Sequence, residues 1–346
     1  MKTQRFSKLI VVCILVVLLA LSLACGETTP TSEPKVSTAT PATSDTQAPA
    51  ATEASAPATD APAPTNTPEP KPQYLGDVVE DYGVLLSAVA IEDPAAPGML
   101  YQAEAGKRLV AVEIIVGNVS GDSISVNPLN ATLLDSEGFT YQPELAAYDG
   151  GQIATVGLSS AGEKVRGWIA FKVPENAELA SIKYSVESFG SKFLQTSLVQ
   201  PPDDYAPDIQ RLSITPTNAL PKLGDLVEQF GYSLSAVTVE DPTKPGMLYK
   251  PKQGYKLVAV EIVLGNVSGD SLSVNPLNAV LLDTEGYVYT PELASRDGQI
   301  DTIDLSKGEK VKGWIAFEIP ENAIPASIKY NTQVLSSNYI QTGLTN

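Results

Sequence analysis

Residues 163–173 read Glu163-Lys164-Val165-Arg166-Gly167-Trp168-Ile169-Ala170-Phe171-Lys172-Val173. In an extended chain Val165, Ile169, Phe171 and Val173 fall on one side. Lys164, Arg166, Trp168, Ala170 and Lys172 fall on the other. This period-two alternation marks an antiparallel strand with one face on a core and one face toward water. Residues 109–116 repeat the pattern, with Val110, Val112, Ile114 and Val116 sharing a face opposite Ala111, Glu113 and Ile115. Further strands are expected at 84–91, 131–134, 139–141, 181–186 and 193–198. Asp135-Ser136-Glu137-Gly138 reads as a hairpin turn in which glycine supplies the positive φ. Long helical periodicity is not evident. About seven short strands, separated by Gly and Pro turns, predict a β-sandwich.

The same text occurs twice. Leu75-Gly76-Asp77 returns as Leu223-Gly224-Asp225, and Pro97-Gly98-Met99-Leu100-Tyr101 returns as Pro245-Gly246-Met247-Leu248-Tyr249. Gly117 to Ser123 returns as Gly265 to Ser271, and Gly167-Trp168-Ile169-Ala170-Phe171 as Gly313 to Phe317. About two-thirds of the aligned positions are identical. A period of roughly 148 residues is far too long for a solenoid unit and is the size of a domain. The expected class is all-β: two tandem antiparallel sandwiches at 74–198 and 223–346, joined by a Pro-interrupted linker at 199–222. That linker should let the domains move unless they share an apolar interface.

Leu133-Leu134-Asp135-Ser136-Glu137-Gly138-Phe139-Thr140-Tyr141, followed by Gly162 to Pro174, resembles a domain-of-unknown-function family found on secreted bacterial lipoproteins. That family is in turn similar to a mycobacterial secreted-antigen domain. The resemblance covers both copies and implies an immunoglobulin-like fold. It supplies no catalytic residues.

Composition removes several functions. Among 346 residues there is no histidine, and the only cysteines are Cys13 and Cys25. A His-based general base, a Ser-His-Asp triad and a Cys/His zinc site lack their residues. Asp and Glu number 40 against 23 Lys and Arg, a formal charge of −17. Phosphate neutralisation needs clustered cations, so nucleic acid is not an expected partner.

Lys2, Arg5 and Lys8 precede an apolar run over 9–21, which ends in Leu21-Ser22-Leu23-Ala24-Cys25. A basic start, a short apolar run and a small residue before the cut define an export signal at 1–24. The run is shorter than the ~20 apolar residues of a spanning helix. Its end resembles the lipobox of bacterial lipoproteins, although Ser22 stands where that family usually has an aliphatic residue. The resemblance makes Cys25 the expected lipidation site, so the membrane becomes a partner through two acyl chains. Residues 25–73 are rich in Pro, Thr, Ala and Ser with few large apolar side chains. They are expected to be a disordered tether. As a flexible coil it would reach roughly 40 Å and as full polyproline II about 150 Å, and the Pro content favours the stiffer side.

Candidate sites in the repeats come with plain structural alternatives. Glu92-Asp93, Asp122, Asp135, Glu137 and Asp149 recur as Glu240-Asp241, Asp270, Asp283, Glu285 and Asp297. Clustered carboxylates suit calcium, yet the EF-hand spacing is absent, and Asp is also a turn former. A glycosidase pair needs two carboxyls at set separation, and nothing in the spacing marks Glu113 or Glu144 for that role. Trp168 and Trp314 fall on the polar face, where an indole can stack on a sugar or fill a partner's pocket. Alternatively they pack under a loop. Tyr101 and Tyr249 read as loop plugs. Asn118-Val119-Ser120 and Asn266-Val267-Ser268 match a glycosylation sequon but also read as turns leaving a strand.

The resulting expectation is a non-enzymatic, membrane-anchored extracytoplasmic lipoprotein that binds an extracellular protein or glycan, with no cofactor. The alternatives are a structural spacer, or a calcium-binding or hydrolytic sandwich.

Overall fold

The computed structural model describes residues 73–345, except 100, 103, 188–190, 208, 217–218, 248 and 333–337. The export signal, Cys25 and all but the last residue of the tether lie outside the described residues.

Among the described residues the first repeat has ten strands: β1 (Val78–Asp81), β2 (Val84–Glu92), β3 (Lys107–Asn118), β4 (Ile124–Val126), β5 (Ala131–Asp135), β6 (Thr140–Tyr141), β7 (Val156–Leu158), β8 (Lys164–Pro174), β9 (Leu179–Ser185) and β10 (Phe193–Ser197). They form a β1-β2-β3-β8 sheet, a β10-β9-β5-β6 sheet and a β4-β7 ribbon, with antiparallel pairing throughout. The second repeat reproduces this order with β11 (Val227–Gln229), β12 (Tyr232–Glu240), β13 (Tyr255–Asn266), β14 (Leu272–Val274), β15 (Ala279–Asp283), β16 (Val288–Tyr289), β17 (Ile303–Leu305), β18 (Lys310–Pro320), β19 (Pro325–Asn331) and β20 (Tyr339–Gly343). The described residues contain short 3₁₀ turns and no α-helix. The tandem all-β expectation holds. The strands it missed, such as β1, β4 and β7, are too short to display alternation.

The long strands bury the faces that alternation assigned to them. Val110, Val112, Ile114 and Val116 of β3 meet Ile169, Phe171 and Val173 of β8 on the inner face of one sheet, and Leu133, Ile182, Tyr184 and Leu194 close the core from the other. Each such side chain, fully buried, contributes about 1.5–3 kcal/mol. The Tyr184 hydroxyl is satisfied inside the core, accepting from Asn127 N at 2.9 Å. Tyr330 does the same with Asn275 N at 2.9 Å.

The opposite face of β3 and β8 does not meet water directly. Leu109, Ala111, Ala170 and the partly buried Trp168 pack under Ala95, Tyr101, Ala147 and Tyr148. The loop that supplies Ala147 and Tyr148 also satisfies the outer rim of β8. Glu144 N donates to Ala170 O, Ile153 N donates to Trp168 O, and Trp168 N donates to Gly151 O, at 2.8, 3.0 and 3.0 Å. An unpaired strand edge invites pairing with other chains, and here the loop covers it. Gly167 permits the approach: a Cβ there would lie 2.6 Å from Ile153 Cα.

Residues 68–346 form one compact unit. Val280, Leu282 and Val288 of the second repeat belong to the same apolar cluster as the first repeat's core. Lys329 Nζ donates to Glu163 Oε2 at 2.8 Å, with both side chains almost wholly buried. Lys164 Nζ donates to the carbonyls of Leu212, Ile214 and Glu285 at 2.9, 2.7 and 2.6 Å. Lys164 N donates to Gly286 O at 2.8 Å, so the 283–286 turn of the second repeat pairs onto the start of β8. The segment 199–222 is tied down as well: Tyr205 Oη donates to Asp77, and Leu75 N donates to Val199 O at 2.8 Å. The apolar contact on which domain mobility depended is therefore present.

Candidate functional site

A cleft of about 310 Å³ lies at this junction, and both repeats line it. The first repeat contributes Glu113 and Arg166, neighbours across the β3–β8 ladder, together with Trp168. The second contributes Lys252, Tyr255, Tyr287, Tyr289, Glu292 and Glu318.

Arg166 Nε and Nη2 donate to the two oxygens of Glu113, both at 2.8 Å. Glu113 is nearly buried, so this fork-to-fork pair fixes a charge-neutral floor with set geometry. The pairing lifts the Arg166 guanidinium above its ordinary range, with the Glu113 hydrogen bond the largest cause. Lys252 Nζ lies 3.1 Å from Glu318 Oε2, and its backbone N donates to Glu318 Oε1 at 2.7 Å. Burial, and then the neighbouring Glu318 charge, push the Glu292 carboxyl above the usual carboxylate range. Burial likewise pushes the Tyr287 phenol up. Aromatic faces beside fixed hydrogen-bonding groups suit a polar ring or an extended peptide, because the faces stack and the fixed groups orient.

The two tryptophans diverge. Trp168 reaches the cleft and is half-buried, its ring 5.5 Å from that of Tyr148. Trp314 is not part of the cleft lining; the Arg296 guanidinium lies over it at 3.9 Å. Arg296 is itself held by Glu240 Oε2 at 2.9 Å and Thr243 Oγ1 at 3.1 Å. Tyr148 and Arg296 occupy the same place in the two copies, so each indole carries a lid of different chemistry. Tyr101 and Tyr249 pack against these outer clusters, not the sandwich core.

The acidic loop residues have local partners. Asp135 Oδ1 accepts from Glu137 N and Phe139 N, and Oδ2 accepts from the Tyr141 hydroxyl at 2.6 Å. Those bonds, the Tyr141 one foremost, hold its carboxyl below the usual range. Asp283 is engaged identically by Glu285, Tyr287 and Tyr289. Asp93 takes the Arg108 fork, and Asp241 pairs with Lys256 at 2.8 Å. Asp149 accepts from Met99 N at 3.3 Å. Asp122 and Asp270 offer their backbone carbonyls to Asn118 and Asn266. Glu144 lies 3.4 Å from Lys172. Among the described residues no three acidic or other ligand side chains gather to hold a metal ion. Asn118 and Asn266 of the sequons are 0% and 1% exposed, with Nδ2 spanning two carbonyls each. They act as internal braces.

The cleft itself had no sequence signal. Its walls come from positions as far apart as Glu113 and Glu318, and only docking of the repeats joins them.

Two like all-β units meeting at a junction cleft define a tandem β-sandwich protein. The chain belongs to the family described as a domain of unknown function (DUF4352), which matches residues 75–193 and again 222–340. No curated protein matches the chain. Among solved structures, the ycdA protein of Bacillus subtilis subsp. subtilis str. 168, provisionally described as a lipoprotein, is 14% identical with a TM-score of 0.31. That alignment covers 36% of this chain and 39% of the other, so the chain spans well under half of that protein's length. The yjhA protein of Bacillus subtilis is 19% identical with a TM-score of 0.29, covering 36% of this chain and 99% of its own. The secreted protein MPT63 of Mycobacterium tuberculosis is 16% identical with a TM-score of 0.28, covering 37% and 97%.

Proposed function

We propose that the chain is an extracytoplasmic lipoprotein, anchored through Cys25, whose tandem sandwiches bind an extracellular glycan or protein without turning it over. The anchor rests on the basic, apolar and lipobox-like order of residues 2–25 and on the tether that follows. The observation that carries the binding reading is the junction cleft. Trp168 stands on its wall beside the Glu113–Arg166 pair, with Tyr255 and Tyr287 across from the first repeat. Glu113 is committed to a guanidinium, a role that suits orientation of a ligand better than proton transfer.

The test is surface plasmon resonance on the immobilised full chain, exposed to soluble cell-wall glycan fragments and to wall-associated protein fractions. Trp168→Ala should abolish the saturable response. Trp314→Ala should leave the affinity within about two-fold, because Arg296 covers that ring away from the cleft. Saturable binding that survives Trp168→Ala would remove the cleft from consideration, and no binding at all would favour a spacer. For the anchor, mass spectrometry of the mature N-terminus should find diacylated Cys25. Cys25→Ser should move the protein out of the detergent phase.

A further inference from the structure

The contact between the repeats joins two unlike faces. The first repeat offers Ser159, Gly162, Glu163 and Lys164. The second offers Glu285, Gly286, Tyr287, Lys329 and Tyr339. Because each repeat carries both kinds of face, one copy of each stays uncovered: the Glu face on the second repeat and the Lys face on the first.

The uncovered copies keep the charged residues and their local geometry, while Thr132 and Thr140 stand where the docked face has Val280 and Val288. Ser159 N donates to Glu163 Oε2 at 2.7 Å, and Ser306 N donates to Glu309 Oε2 at 2.7 Å. The Glu309 carboxylate is therefore held in the same pose, yet Glu309 and Lys310 are exposed where Glu163 and Lys164 are buried. On the opposite face Lys183 corresponds to Lys329, Phe193 to Tyr339 and Phe139 to Tyr287. Lys183 Nζ sits over the Phe193 ring at 3.7 Å, as Lys329 sits over Tyr339 at 4.9 Å. Phe193 and Phe139 are 43% and 61% exposed, whereas Tyr287 and Tyr339 are at least partly covered. The backbone agrees. Gly162 and Gly286 meet so closely that a Cβ on Gly286 would lie 2.3 Å from Gly162 O. Their counterparts Gly308 and Gly138 have the same positive φ, +81° and +86°, and face open space.

We propose that these two faces dock on each other between chains, so that the protein associates head to tail with a second copy of itself. Glu309 of one chain pairs with Lys183 of the next, as Glu163 pairs with Lys329 within the chain. Lys310 N of one chain meets Gly138 O of the next. A face that meets an unlike face is heterologous, so it builds rings or open rows and not two-fold dimers. The Leu212 and Ile214 carbonyls that hold Lys164 are supplied within the chain, so the contact between chains is the weaker of the two.

The test uses the full chain with single cysteines at the two faces and a short bismaleimide, the parent with Cys13 and Cys25 serving as background. A mixture of the Lys183→Cys and Glu309→Cys variants should give cross-linked dimer at ten-fold or more above either variant alone. Mixture yields no higher than the parent would overturn the proposal and leave these faces to some other occupant. Lys183→Cys cross-linking to itself as well as to the mixture would overturn it too, since that describes a symmetric contact. A second measurement needs no cysteine. Lys183→Glu and Glu309→Lys chains should each sediment as monomers, and their equimolar mixture should associate, because every contact between unlike variants then joins opposite charges. A mixture no different from its components sinks the idea.

Discussion

Lys329 and Glu163 lie 166 residues apart in the chain and 2.8 Å apart in space, and water reaches almost nothing of either side chain. Burial draws the Lys329 ammonium below its usual range, against the pull of Glu163. The pair sits where the two repeats meet, so its integrity reports on their docking.

Removing one partner leaves the other charge buried and uncompensated. Lys329→Met and Glu163→Gln should each cost about 3–5 kcal/mol of stability by urea denaturation. Glu163→Leu combined with Lys329→Met should cost less than either single change, because no charge is then stranded. Lys183→Met, at the matching and partly exposed position, should cost under about 0.5 kcal/mol in dilute solution. Equal losses at Lys183 and Lys329 would mean that the junction does not bury its lysine.

Several phenols resist ionisation. Burial pushes Tyr184 and Tyr330 up to about 12. Tyr141 is also pushed to about 12, by burial and by its bond to Asp135. Unfolded tyrosines ionise near 10, so the folded protein keeps protons that the unfolded chain loses. This contribution to stability is whole below pH 10 and is lost as pH climbs through 12. Phenolate absorbance of the native protein should therefore rise in two stages, the later one near 12. A single rise centred at 10 in still-folded protein would contradict the packing around Tyr184 and Tyr330.

Asn118 braces three segments. Its Nδ2 donates to Asp122 O at 2.7 Å and Leu158 O at 3.0 Å, while Oδ1 accepts from Ser120 N at 2.9 Å. Asn118→Ala would strand the buried Leu158 carbonyl, at about 1–3 kcal/mol. Asn266→Ala should behave alike, since Asn266 makes the same set with Asp270, Leu305 and Ser268. A thermal melt of each variant checks this. Unchanged midpoints would show that other groups take over the carbonyls.

Gly167 and Gly313 separate two kinds of crowding. A Cβ on Gly167 meets backbone, Ile153 Cα at 2.6 Å and N at 2.7 Å. On Gly313 its nearest neighbour is the Ile300 side chain at 2.8 Å, with Gly298 O at 3.2 Å. A side chain yields more readily than backbone, so Gly167→Ala should destabilise more than Gly313→Ala. Hydrogen exchange at Ile153 N and Trp168 N should rise in Gly167→Ala; unaltered protection there would refute the clash.

The sequence told most where side chains repeat along one strand. Val110 to Val116 and Ile169 to Val173 announced the sandwich, because period-two burial needs only local order. It told least where burial depends on a partner. Lys183 and Lys329 hold the same position in β9 and β19, Glu163 and Glu309 stand just before β8 and β18, and no local pattern could show that one of each is buried. Trp168 lies on the face away from the core, where strand alternation puts it. That face is roofed by Tyr148 and Tyr101, contributed by loops whose course alternation does not encode. The cleft was illegible for the same reason, being assembled from Glu113, Arg166 and Trp168 on one repeat and Lys252 to Glu318 on the other.

The loop laid along β8 has a consequence for crowded surroundings. Ala170 O, Trp168 O and Trp168 N are already spoken for by Glu144, Ile153 and Gly151 of the same chain. A neighbour arriving at that stretch finds these three main-chain groups already taken, so strand addition there would first have to displace the chain's own loop.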